Sequence, residues 1–140
     1  MLTEQLNLIT SFLAPVDHSL NKYKFIGFNG NLCAANAKAL GILNANSALG
    51  EQAPIAVSGI ALVLSGGVIT VGSAVTSDAA GKAVVAASLS ATTPTGAVAV
   101  TSTSATPAMT LAGSITPQAI NGYALDAASG PEILIRILLI

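Results

Sequence analysis

Between residues 54 and 64 the chain first alternates and then saturates with apolar side chains. Ile55, Val57 and Gly59 fall on one side of an extended segment and Ala56, Ser58 and Ile60 on the other; Ala61, Leu62, Val63 and Leu64 are apolar throughout. Alternation with period two that runs into a short continuous apolar stretch predicts a strand buried on both faces. Ser65-Gly66-Gly67 reads as a turn, residues 68–71 as a strand and Gly72-Ser73 as the next turn. Residues 74–77 form another short strand, Asp78-Ala79-Ala80-Gly81 a turn, and residues 82–87 a further strand. Upstream, Asn29-Gly30 lies between the β-prone residues 23–28 and 32–35, a strong short-range hairpin signal because both residues tolerate positive φ. A turn and a strand over 40–44 fit better than a helix, since Gly41 and Asn44-Ala45-Asn46-Ser47 interrupt the Ala-rich stretch. At the far end, residues 122–126 and 132–140 are strands joined through Ser129-Gly130-Pro131, read as a turn. Short strands at close spacing with glycine turns predict an all-β domain, a small β-barrel or β-sandwich, over residues 21–140.

Two segments fall outside this pattern. Residues 1–20 form an N-terminal arm, in which Leu2, Leu6, Leu8, Ile9, Phe12 and Leu13 fit neither the helical nor the strand period. Such an arm either lies on a partner or folds back as an edge strand of its own domain. Residues 88–119 are rich in Ser, Thr, Ala and Pro. The alternation of Ala97, Val98, Ala99 and Val100 favours a hairpin insertion there over a structureless loop.

Composition narrows the function classes. Of 140 residues, 52% are apolar but only 4% aromatic, and 8% are charged, against about 25% charged in ordinary soluble domains. A surface so poor in charge is weakly protected against association, which points to partners covering part of it. The net charge is −1 and the five basic residues are scattered, so no basic face exists for phosphates and no direct nucleic-acid binding is expected. No apolar run reaches the roughly 20 residues of a membrane span, and the N-terminus lacks the basic start of a signal peptide. The expectation is a protein made in the cytoplasm that does not enter a membrane.

The search for chemistry returns isolated groups. Glu4, Asp17, Glu51, Asp78, Asp126 and Glu132 form no paired-carboxylate motif, and Asp78 and Asp126 adjoin turns, where Asp bonds to nearby backbone. His18 is the sole imidazole and Cys33 the sole thiol. His18 and Asp17 are adjacent on an extended segment, so their side chains point apart, unlike the partners of a catalytic triad. One His and one Cys do not make a metal site, and Gly66-Gly67 lacks the Lys-Ser/Thr of a phosphate loop. No enzyme activity, cofactor or metal is expected.

The order of elements carries a further signal. Gly50-Glu51-Gln52 leads into Ile55-Ala56-Val57-Ser58-Gly59; Ser77-Asp78-Ala79-Ala80-Gly81-Lys82 follows; Tyr123-Ala124-Leu125-Asp126-Ala127-Ala128 precedes the closing Glu132-Ile133-Leu134-Ile135-Arg136. In this sequence of motifs, over most of residues 22–87 and 120–140, the protein resembles the capsid cement, or head decoration, proteins of tailed bacteriophages. The resemblance implies a β-tulip-like barrel on the outer surface of the mature head. It also implies a homo-oligomer, commonly a trimer, that bridges neighbouring major capsid proteins and resists the internal DNA pressure. Leu2, Leu6, Leu8, Ile9, Phe12 and Leu13 are the candidate capsid contacts, because an apolar arm suits strand addition to a partner. The competing reading is a receptor-binding or adhesion module that uses residues 88–119.

Overall fold

A computed structural model describes residues 2–87 and 118–140 of the protein. The hairpin expected at 88–119 falls, apart from its last two residues, outside the described part. Among the described residues there is no helix, and eight strands form one sheet. They are β1 (Gln5–Leu13), β2 (Phe25–Ile26), β3 (Gly41–Leu43), β4 (Gln52–Ile69), β5 (Ala74–Ser77), β6 (Ala83–Val85), β7 (Gly122–Ala124) and β8 (Ala128–Leu139). Hydrogen bonding runs β4-β6-β5-β7-β8 and returns from β8 to β4, closing a five-strand barrel. All of its pairings are antiparallel except β4 with β6, which meet in parallel at Ser65 and Ala83. The strands β1, β2 and β3 extend the sheet beyond the barrel along the first half of β4.

Two expected turns are strand instead. Ser65-Gly66-Gly67 lies within β4 and Ser129-Gly130-Pro131 within β8, and the two triplets face each other: Gly66 pairs with Pro131 and Gly67 with Gly130. Small residues occupy this stretch of both strands. A Cβ on Gly66 would sit 2.6 Å from Asp78 Oδ2. The register slips between Leu64 and Gly66, so that Glu132 and Ile133 oppose Ser65. Glu132 takes the left-handed conformation, φ 62°, a bulge geometry that increases local twist, and its carboxylate pairs with Lys82. Buried Ser65 fills the gap in the ladder: its hydroxyl donates to Gly130 O at 2.7 Å and accepts from Ile133 N at 3.0 Å.

The Asn-Gly hairpin is narrower than expected. Gly30 alone takes positive φ, 80°; Gly27 N–H donates to Asn31 O, giving a three-residue loop closed by a left-handed glycine. The return segment 32–35 is reduced to a single bridge, Ile26 with Leu32. Residues 74–77 are strand and 78–81 turn, as expected. Asp78 Oδ1 accepts from both Ala80 N and Lys82 N at 2.8 Å, and Gly81 supplies φ 74°.

Alternation sorts side chains into two cores. Phe25, Ile42 and Ala56 point into the barrel with Ala61, Val63, Val75, Ile135 and Ile137, whereas their neighbours Ile26, Leu43 and Ile55 form a second cluster with Ala14 and Ala53. Buried Asn121 ties the 36–40 segment to the barrel, accepting from Ala39 N at 2.9 Å and donating to Ala37 O at 3.0 Å.

The link between β7 and β8 is locked by Asp126. Its Oδ2 accepts from Arg136 N and Nε, and its Oδ1 from Arg136 Nη2, all within 2.9 Å. These bonds, chiefly those from the guanidinium, hold the Asp126 carboxyl at about 2, below its ordinary value of 3.8. A carboxyl depressed on folding stabilises above its unfolded value and loses that contribution as pH falls through its folded value. At neutral pH, Asp126→Asn is therefore expected to unfold at lower denaturant concentration than wild type. Denaturation curves taken from about pH 4 down to about pH 2 should converge; a constant gap across that window would contradict the assignment.

Candidate partner-docking edge

The N-terminal segment is part of the sheet over its central nine residues. Gln5–Leu13 runs antiparallel to β4, from Gln5 opposite Ile60 to Leu13 opposite Gln52. Where β1 ends, β4 still presents outward N–H groups. Leu62 N donates to Glu4 Oε1 at 3.2 Å and Leu64 N to the Tyr23 carbonyl at 2.9 Å. Glu4, one of the scattered acids, thus continues the ladder with its carboxylate. Among the described residues the other edge of β1 pairs with nothing.

The candidate contact residues divide between two faces. Leu6 packs against the barrel core and Phe12 against the second cluster. The Phe12 ring also lies against Gly30, where a Cβ would come within 1.8 Å of Cε1. Leu8, Ile9 and Leu13 are 58%, 48% and 59% exposed, and Leu2, ahead of the strand, is 38% exposed. Two adjacent residues, Leu8 and Ile9, both reach solvent because the register breaks on either side of Leu8. The first break leaves Asn7 without a partner, opposite Gly59, which takes φ 104°. A Cβ on Gly59 would lie 2.3 Å from Gln5 O and 2.7 Å from Asn7 N. Gly59 is thus the residue that lets β1 approach, a role invisible when it is read only as one more position of an alternating strand.

Beyond Leu13, Ala14 exchanges backbone hydrogen bonds with Glu51 and Gly50. Val16 and Leu49, on the two segments so joined, are also exposed. Sheet edges in soluble proteins are ordinarily protected by Lys, Pro or a covering element. The nine residues of β1 contain no charge and no proline. What the edge offers is a row of free backbone donors and acceptors flanked by Leu and Ile, the requirements for adding a strand.

The residues weighed for catalysis serve the fold. His18 is buried; its Nε2 donates to Gly30 O at 2.7 Å and its Nδ1 accepts from Asn21 Nδ2 at 3.1 Å, while Asn21 Oδ1 accepts from Lys24 Nζ. Asp17 turns away from it, accepting from the backbone and hydroxyl of Ser19. Cys33 is buried, and burial pushes its thiol up from the ordinary value, against a smaller opposing effect of Ser77, the reverse of an activated nucleophile. It lines an open cleft of about 340 Å³ with Gly27, Phe28, Leu32 and Lys38, and its Sγ donates to Ala37 O at 3.5 Å. Among the described residues no three His, Cys, Asp or Glu gather as metal ligands, and no helix is long and apolar enough to cross a membrane.

No family model matches the protein, and no curated protein matches it. Among solved structures it is similar to the head fiber gp8.5 N base of bacteriophage phi29, a crystal structure, with a TM-score of 0.60 and 16% sequence identity. The match covers 95% of this chain and 95% of that chain. At this identity the likeness is one of fold, and it runs through nearly the whole of both proteins.

Gly59→Ala should loosen the β1 pairing, since it forces a side chain into Gln5 and Asn7 and a strained backbone costing about 1–3 kcal/mol. Hydrogen exchange of the β1 amides should accelerate strongly, with Val63 and Ile135 in the barrel remaining slow. Unchanged protection along β1 would show that Gly59 does not control its approach.

Proposed function

We propose that this protein is a non-enzymatic structural component of a phage virion, which attaches to the outer surface of the head through the β1 edge. The observation that carries the reading is the shared fold with the phi29 head fiber base over 95% of both chains. The open, uncharged edge adds a means of attachment: backbone hydrogen bonds give affinity, and Leu8, Ile9 and Leu13 supply apolar contact. In this reading the partner is the major capsid protein, and the protein assembles with itself, as a trimer, so that each oligomer links neighbouring capsid subunits. Such linkage strengthens modest single contacts by about 10²–10⁴ through effective concentration, enough to brace the shell against packed DNA. The likeness to a phage head fiber base supports a place on the phage head.

Sedimentation with undecorated, expanded heads of the source phage tests it. Wild-type protein should cosediment at a saturable ratio. Leu8→Asp/Leu13→Asp, which buries charge in place of two apolar side chains, should bind at least about tenfold more weakly while keeping its melting behaviour. Equal binding by the variant would remove the β1 edge from the contact. Absence of wild-type binding would remove the capsid partner and favour the adhesion reading.

A further inference from the structure

Two asparagines in the sequence precede a glycine, Asn29 and Asn121. In this dipeptide the glycine nitrogen reaches the asparagine amide carbon, Cγ, unhindered, because no Cβ crowds its approach. Attack forms a C–N bond between the glycine nitrogen and Asn Cγ and closes a five-membered imide. The bond from Cγ to Nδ2 breaks, and Nδ2 leaves as ammonia with the proton lost by the glycine nitrogen. Water then opens the imide at either carbonyl, yielding aspartate or isoaspartate with no oxidant or reductant.

The fold treats the two sites oppositely. Asn121 is 2% exposed and held at both ends of its amide by Ala39 N and Ala37 O. Attack there waits for the barrel to open. Asn29 stands exposed at the tip of the 28–30 loop. Its Oδ1 accepts from Asn31 N at 3.1 Å, a donor aimed at the oxygen on which negative charge grows as Cγ is attacked. The contact that must yield first is Gly30 N to Gly27 O at 3.0 Å, in a turn whose residues 28 and 29 are exposed while Gly30 is buried.

We infer that Asn29 is a site of spontaneous self-modification to aspartate and isoaspartate, and that the fold protects Asn121 from the same reaction. The consequence reaches β1. Isoaspartate inserts an extra backbone carbon immediately before Gly30, whose carbonyl holds His18 Nε2 and whose Cα abuts the Phe12 ring. Ageing at the loop tip thus adds a negative charge and loosens two contacts that anchor β1 and the segment after it.

The full-length protein is incubated in warm, mildly alkaline buffer, folded or in urea, then labelled with an isoaspartyl methyltransferase and mapped by peptide. In the folded sample, label at residue 29 should exceed label at residue 121 by at least about tenfold, because reaction at 121 waits for two hydrogen bonds of a buried side chain to open. In urea both should label. Equal label at both positions in the folded protein, or none at 29 where the urea sample reacts, would overturn the inference. Asn29→Asp, which adds the charge without the extra carbon, should melt with wild type, and the aged isoaspartate fraction below both. An aged fraction melting with wild type would overturn the link to His18 and Phe12.

Discussion

A strand of 18 residues presents two rows of backbone donors and acceptors, and the need to pair both rows of β4 organises the fold. Along one edge β3 and then β8 take up its hydrogen bonds; along the other, β1, the Glu4 carboxylate, the Tyr23 carbonyl and β6 follow in turn. Because β4 belongs to the barrel in its second half and to the extension of the sheet in its first, it joins the two parts. Within the barrel half glycine faces glycine, at Gly67 and Gly130, beside a bulge closed by Ser65. Two cores follow from the same strand, since successive residues of β2, β3 and β4 face opposite sides.

Few polar residues are spent on the interior, and three of those that are buried close gaps the sheet leaves. His18 holds the Gly30 carbonyl, Asn121 holds the backbone of Ala37 and Ala39, and Ser65 holds Gly130 and Ile133. Satisfied groups of this kind hold a single arrangement, because each loses more when unpaired than it gains when paired. The two groups weighed for catalysis are occupied in the same way: His18 has both nitrogens engaged, and Cys33 is masked by burial.

Local chemistry made some elements legible in the sequence. Asp78 and Gly81 mark their turn because each has a backbone reason to be there, and residues 74–77 follow as the strand before it. The run from Ala61 to Leu64 reads as doubly buried, and it is buried from Ala61 to Val63, with Leu64 half-buried. Ser65-Gly66-Gly67 and Ser129-Gly130-Pro131 misled because composition announces a turn while the true partner of each triplet is the other, far away in the sequence. The N-terminal segment resisted any period for a related reason. The bulge at Asn7 breaks the alternation, so Leu8 and Ile9 share an exposure that no regular strand would give them. Of the site, the apolar residues were legible one by one; their division into inward Leu6 and Phe12 and outward Leu8, Ile9 and Leu13 depends on a register that only the pairing with β4 sets.

An edge without charge, anchored from behind by Leu6 and Phe12 and open in front, is suited to strand addition on a larger assembly. Cryo-electron microscopy of expanded source-phage heads saturated with the protein tests this most directly. Attachment through β1 predicts an additional strand of capsid protein running alongside Gln5–Leu13, with Leu8 and Leu13 against the shell. Ordered protein bound with β1 facing solvent would contradict it.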